Sequence, residues 1–445
     1  MGPELGLPTP HLRSGRHGCA GCRRSMESCR QANHRREKPM KLPSVKLLAV
    51  LSTLACLAGP LRADWPQFRG PGGAGLSDAK GLPTKWSADS NVRWKAKLPG
   101  RGLSCPVVVG DHVYVTACTG YQQDRLHVLC LDAAPGKQIW ERQIWGTGST
   151  MCHPTTCMAA PTPAADASGV VALFATGDIV AYDREGNLQW YRSLARDYPG
   201  ITNNVGMASS PILHQNVVLI PLENAGNSFS AALDRATGAT LWKVERHKDI
   251  NWVTPLVVAN GSQAEVLFQT GKEITAYDLR TGKKRWTHEA GLSSVSSPVL
   301  GDGQILIPGS EFTVLKAQGD SSAPEVVWKS NKIKTSYPSP VYYKGRIYTL
   351  NSASILSCND AADGASIWQQ RLKGKFWASP VIADGKLYAV NEEGTTFVID
   401  LGASDDQRRI LAENKLGDTF LATPAIARGA LFLRSDGWLY CIGAK

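Results

Sequence analysis

A small or hydroxyl-bearing residue, a proline and a short apolar run recur eight times in this chain. The copies are SCPVVV (Pro106), AAPTPA (Pro161), SSPIL (Pro211), VTPLVV (Pro255), SSPVL (Pro298), PSPVYY (Pro340), ASPVIA (Pro380) and ATPAIA (Pro424), spaced 40 to 55 residues apart. A second signature alternates with the first: Asp, Gly three or four residues on, then Trp four beyond that. It reads CLDAAPGKQIW (Asp132, Gly136, Trp140), AYDREGNLQW (Asp183, Gly186, Trp190), ALDRATGATLW (Asp234, Gly238, Trp242), AYDLRTGKKRW (Asp278, Gly282, Trp286) and CNDAADGASIW (Asp360, Gly364, Trp368). A unit this short cannot bury a hydrophobic face alone and must stack on its neighbours.

Each unit reads as four short strands. Proline is tolerated where the first begins, because no ladder N–H is needed there. A Gly-containing turn with alternating apolar residues on its far side follows, as in GDHVYVTA, KGRIYTLN and DGKLYAVN. The third strand ends at the Asp, whose carboxylate caps a backbone N–H two residues on; Gly supplies the left-handed turn. The Trp of the fourth strand then lies at the seam between units, its N–H directed at a carbonyl. The fold class is all-β: an eight-bladed β-propeller of four-stranded antiparallel blades.

Trp94 and Trp328 extend the Trp series, and two units are irregular: VLKAQGDSSAPEVVW lacks the Asp, and VIDLGASDDQRRIL ends on Leu411. The last unit, ATPAIARGALFLRSDGWLYCIGAK, has only three strands. NVRWKAKL (91–98) is therefore expected to supply its outer strand and close the ring.

The first 63 residues read differently. Residues 1–39 are basic and polar and read as a mis-assigned or disordered leader; MKLPSVKLLAVLSTLACLAGPLRA (40–63) has the three-part build of a signal peptide, too short to span a bilayer. Cys19, Cys22 and Cys29 with His17 and His34 lack the second ligand pair a zinc site needs. Cys56 offers a lipidation point, but Thr53 stands where a lipobox wants Leu, Val or Ile, so simple export to the periplasm or medium is expected. The formal charge of +11 is mostly a leader effect: residues 64–445 carry 38 basic and 35 acidic side chains, which removes the argument for nucleic acid as a partner. The propeller domain is placed at 64–445 and is expected to be a monomer without a transmembrane span.

The Asp-x-x-x-Gly-x-x-x-Trp repeat resembles that of the PQQ-like (pyrrolo-quinoline quinone repeat) β-propellers, which include quinoprotein alcohol dehydrogenases and the outer-membrane assembly lipoprotein BamB. The stretches DWPQFRGPGGAGLS, YPGITNNVGMASSP and HKDINWVTP resemble exported members of that group from planctomycete-type bacteria. The resemblance covers essentially all of 64–445 and implies an eight-bladed ring. It also implies two functions: a quinone-dependent dehydrogenase, or a binding scaffold of the cell envelope. The dehydrogenases use an adjacent Cys-Cys pair and long roofing insertions; this chain has no Cys-Cys, and its units are near the minimum for a blade. No PQQ, calcium or other metal is expected. Kinase motifs are absent as well.

Within the propeller, Cys152, His153 and Cys157 could begin a metal site or form a redox pair; without a fourth ligand, a disulfide or loop packing is the simpler reading. The segments before each proline should gather around one mouth of the central channel. They carry Arg101, His153, Asn203, Asn204, Met207, Asn251, Trp252, Tyr337, Phe376, Trp377 and Phe420. That mixture suits an envelope protein or peptide, or a carbohydrate, and equally suits side chains that plug the channel. No catalytic acid, base or nucleophile is assigned; a non-catalytic scaffold is expected, with a periplasmic quinoprotein or sugar-oxidising enzyme as the alternative.

Overall fold

The computed structural model describes residues 64–444 except 203, 261–262, 318–322 and 403–408. Residues 1–63, with the expected leader and the segment read as a signal peptide that carries Cys56, and Asn203 lie outside the described residues. Eight sheets are formed, each built on four antiparallel strands; seven have only these four, and the seventh blade carries a fifth, parallel strand at its inner edge. Blade 1 comprises Val107–Val109, His112–Thr119, Arg125–Asp132 and Gln138–Trp145, and the same inner-to-outer order repeats through blade 7. In blade 8 the strands Ala425–Ala427, Ala430–Arg434 and Trp438–Ile442 are joined by Val92–Lys97, which pairs antiparallel with Trp438–Ile442 and closes the ring as expected. The only described helices are the four residues Leu194–Asp197 and a single 3-10 turn at Pro71–Gly73.

The spacing within the Asp–Gly–Trp motif follows from contact between blades. Asp132, Asp234, Asp278 and Asp360 each accept the N–H two residues on, at 2.8 to 3.2 Å. The turn so formed presents two things to the preceding blade. One is the carbonyl just after the Asp: Trp94, Trp140, Trp190, Trp242 and Trp328 donate their indole N–H to Ala133, Arg184, Arg235, Leu279 and Ala361 at 2.8 to 3.0 Å. The other is a glycine under the indole. A Cβ on Gly136 would fall 2.3 Å from Trp94, and one on Gly282 would fall 2.7 Å from Trp242. Each Trp therefore belongs to one blade and its receptor to the next.

Blade 7 lacks this Trp, and the chain fills the gap from elsewhere. Trp86, 6 % exposed, stacks on Tyr388 at 6.5 Å between ring centroids. Tyr388 occupies the position of Tyr114 and Tyr348, which meet the repeat residues Trp140 and Trp368 at 6.0 Å. Asn414 clamps the visitor, accepting from Trp86 N at 2.8 Å and donating to Thr84 O at 2.9 Å.

Blade 2 departs from the sequence reading in register. Its inner strand begins at Ala164, so Pro163, not Pro161, is the equivalent of Pro106.

Candidate functional site

The residue before each lead proline is Cys105, Thr162, Ser210, Thr254, Ser297, Ser339, Ser379 or Thr423. The backbone N–H of each of the first seven donates to the side chain of the next, from Cys105 N to Thr162 Oγ1 through Ser379 N to Thr423 Oγ1, at 2.9 to 3.2 Å. The N–H of Thr423 donates to the Cys105 sulfur, which closes the circle. A belt of eight blade-to-blade hydrogen bonds thus surrounds the channel and satisfies eight buried N–H groups that have no ladder partner.

Two residues before each belt position stand Leu103, Ala160, Ala208, Trp252, Val295, Tyr337, Trp377 and Leu421, and all eight line the cavity above the belt. Extended backbone alternates faces with period two, so this ring and the belt share the channel face. The cavity holds about 150 Å³ and is floored by Phe68. No Asp, Glu, Asn, Gln, Lys, Arg or His lines it.

The floor comes from the segment DWPQFRGPGGAGLS. Trp65 exchanges both backbone hydrogen bonds with Val108, at 2.7 and 2.9 Å, and Pro66 O accepts from Ala165 N at 2.8 Å. Arg69, 1 % exposed, donates to Pro340 O across the ring. Leu76–Ser77 then adds a parallel strand to the inner edge of blade 7. Because inner strands run downward from the belt, these contacts place the segment beneath it, as a bung across the channel.

The period-two rule sorts the sequence candidates. Trp252, Tyr337 and Trp377 sit two before the belt and form the aromatic side of the mouth. Tyr337 and Trp377 stack at 4.1 Å, and the Lys375 ammonium lies 4.1 Å from the Trp377 ring. The indole N–H groups of Trp377 and Trp252 donate to Glu392 Oε2 at 3.0 Å and Gly206 O at 2.9 Å, which fixes both rings. Met207, Asn251, Phe376 and Phe420 stand three before the belt and turn inward. The structure places Met207, Phe376 and Phe420 in the hydrophobic core instead of on the rim. Asn251, also buried, donates to Glu223 Oε2 and Gln269 O, both at 2.7 Å, inside a network where Glu223 also binds Arg246 at 2.9 Å. Arg101 is tied to Pro154 O at 2.7 Å and faces Asp436 at 3.4 Å. His153 and Asn204 are exposed on the upper surface; the His153 ring bonds Thr155 Oγ1 at 2.8 Å. Sequence reasoning missed the aliphatic wall and the belt, although the fixed offset from each proline marks both.

Among the described residues no group of three or more His, Cys, Asp and Glu side chains is arranged to hold a metal ion. Cys105, Cys118, Cys130, Cys152, Cys157 and Cys441 are unbridged. The sulfur beside Cys157 is that of Cys118, not of Cys152.

The family model described as outer membrane protein assembly factor BamB matches residues 76–226, 225–320 and 317–409. The chain belongs to this PQQ-like β-propeller family. Outer membrane protein assembly factor BamB of Escherichia coli (strain K12) is 28% identical over 185 residues, which is 41% of this chain and 45% of that relative. The chain thus spans about half the length of the curated relatives it matches. A polyvinylalcohol dehydrogenase of a Pseudomonas species is 20% identical over 366 residues, covering 70% of this chain and 52% of the relative. Among solved structures, BamB from Moraxella catarrhalis superposes with a TM-score of 0.60 at 13% identity, covering 80% of this chain and 97% of that one. The relatives therefore include both an assembly factor and a dehydrogenase.

The propeller's resemblance raises the question of a quinone cofactor with its divalent cation. PQQ carries several carboxylates, and its cation needs oxygen donors. The channel wall offers hydroxyls and apolar groups, without a carboxylate for the cation or a basic side chain for the quinone. The residues present do not fit that group.

Proposed function

We propose that the propeller is a non-catalytic binding scaffold of the cell envelope that holds an apolar side chain of a partner protein in the mouth of its channel. The observation that carries this reading is the neutral, bung-closed cavity of about 150 Å³, walled by Leu103, Ala160, Ala208, Val295 and Leu421 and flanked by Trp252, Tyr337 and Trp377. Ligand pockets for whole cofactors usually run to about 300–1,000 Å³. A hole of half the lower figure suits one leucine- or phenylalanine-sized group, with partly exposed aromatics as the contact rim. The assembly-factor relatives support a protein as the bound species, and a signal-peptide-like segment at 40–63 supports an envelope location.

The dehydrogenase relative supports a second reading, and one comparison separates the two. Full-length protein is titrated with PQQ plus calcium and, separately, used to co-purify partners from envelope fractions. The scaffold reading expects no saturable Trp quenching and no dye reduction with alcohols or sugars. It also expects a partner that is lost in Trp252→Ala and Trp377→Ala. Turnover with PQQ would overturn it, as would retention by an immobilised sugar with no protein partner.

A further inference from the structure

Independently of what the mouth binds, three thiols converge where blade 1 meets the segment leading to blade 2. Cys118 and Cys157, 2 % and 0 % exposed, lie in thiol–thiol hydrogen-bond contact. Gln123, at φ 58°, hydrogen-bonds both Cys118 and a third sulfur through its side-chain amide. The Cys118 S–H donates to Gln123 Oε1 at 3.3 Å, and Gln123 Nε2 donates to Cys152 Sγ at 3.7 Å. Gln123 Oε1 also accepts from Met158 N at 3.1 Å. Of the three sulfur residues only Cys152 is partly exposed.

A second observation points to the same spot. Arg434 is 1 % exposed, and its Nε and Nη2 have no hydrogen-bond partner. Its Nη1 donates to Ser104 O at 3.0 Å. The ionisable acidic groups that face it are the thiols of Cys157, Cys118 and Cys105 and the carboxyl of Asp436. A buried guanidinium whose hydrogen bonds reach only Ser104, with Asp436 near but not bonded to it, is costly unless an anion compensates it more closely. Proton loss from Cys118, whose resting S–H faces Gln123 Oε1 and Arg101 O, both at 3.3 Å, supplies such an anion.

We propose that Cys118, Cys157 and Cys152 form a thiol–disulfide exchange site, with Cys152 as the solvent-facing sulfur and a Cys118–Cys157 disulfide as the product. The co-reactant is an external disulfide, R–S–S–R. The Cys152 thiolate attacks one of its sulfurs, forming a mixed disulfide and releasing one RS⁻. The Cys118 thiolate attacks Cys152 Sγ and expels the second RS⁻. The Cys157 thiolate then attacks Cys118 Sγ and returns Cys152 as a thiolate. Two thiols are oxidised and one external disulfide is reduced to two thiols, the protons of Cys118 and Cys157 ending on the two released RS⁻ groups. Accessibility gives the first attack to Cys152, the solvent-facing sulfur, and charge distribution makes Cys118 the attacking group of the second step. Burial pushes the Cys152 and Cys157 thiols up, whereas the hydrogen bond from Cys157 holds Cys118 down, so negative charge in the trio collects on Cys118 beside Arg434. The product would staple the second strand of blade 1 to the segment that carries Ala160 and Thr162 into the channel wall.

The test equilibrates the full chain with oxidised glutathione, quenches in acid, denatures, alkylates and maps peptides by mass spectrometry. The expected result is a Cys118–Cys157 cross-link with Cys152 alkylated. Cys152→Ser should reach the same product more than about tenfold more slowly, and Cys118→Ser should accumulate glutathione on Cys152. Recovery of Cys118 and Cys157 as alkylated thiols from the wild-type chain would overturn the proposal, and this reading does not depend on any variant folding. A Cys152→Ser chain that cross-links at the wild-type rate would overturn the role given to Cys152.

Discussion

The indole of Trp190 lies flat on Gly238 of the next blade and donates its N–H to Arg235 O at 3.0 Å, while a Cβ on Gly238 would fall 2.6 Å from the ring. Gly238 also holds φ at 71°, where a side chain is strained even in open space. Gly238→Ala is therefore expected to cost at least about 2 kcal/mol, from the left-handed backbone plus a displaced indole. Urea unfolding with the tryptophan signal measures this, and an unchanged midpoint would refute the seam account. Gly303→Ala is the control: its φ is 73°, but no atom lies within 4 Å of the added carbon, so only the backbone part should appear.

The belt makes a sharper prediction about chemically similar changes. Ser339 Oγ accepts from Ser297 N at 2.9 Å, both residues being buried. Ser339→Ala leaves that N–H without a partner and is expected to cost about 1–3 kcal/mol. Cys105→Ser replaces a weak acceptor by a good one at the point where the circle closes, leaves no N–H unpaired, and should cost clearly less than Ser339→Ala. Thermal midpoints of the two variants in parallel decide the matter: equal losses would mean that volume, not hydrogen bonding, governs these positions.

Much of this was readable in the sequence, for a physical reason. A propeller repeats one contact eight times, so Asp234, Gly238 and Trp242 disclose their roles through their copies, and the missing Trp after Val398 is visible as a gap. Trp86 as the substitute was not readable, because nothing local links it to a seam more than 300 residues away along the chain. At the mouth the sequence brought the right loops together but not the right faces. Trp252 and Asn251 are neighbours, yet one looks into the channel and the other into a buried ion network; the two-residue phase relative to the belt decides which. The bung at 64–77 was legible only as an unusual segment, since its role depends on contacts with blades from both ends of the chain.

Trp86 leads to a prediction about the ends of the domain. It fills a seam that the repeat leaves empty, so Trp86→Ala should cost about 3–5 kcal/mol, as for a large buried aromatic. Removing residues 64–98 withdraws the bung, Trp86 and the closing strand Val92–Lys97 together. That deletion is expected to leave the chain aggregated or unfolded by size-exclusion chromatography and circular dichroism. A soluble, monodisperse truncation would show that the ring closes by other means.

The Asp residues of the hairpins also set the acid response. Asp278 accepts from Arg285, from Thr281 N at 2.9 Å and from Thr281 Oγ1 at 2.8 Å. Burial alone would raise its pKa, but these donors outweigh burial and hold it at about 2. In the unfolded chain an Asp titrates near 3.9. Between those values the unfolded state binds the extra proton, so the contribution of Asp278 is fully present above about pH 5 and is lost as pH falls towards 2. Asp278→Asn should lower stability at neutral pH and flatten this part of the acid limb, so that the two curves converge near pH 2 and run parallel above pH 5. The carboxylate is largely solvent-screened, so the gap at neutral pH should be modest. Urea midpoints taken at intervals from pH 7 to 2 check the sign. A gap that is constant across the range would show that the carboxylate acts here through shape alone, and would remove the electrostatic account of the turn that presents Leu279 O and Gly282 to Trp242.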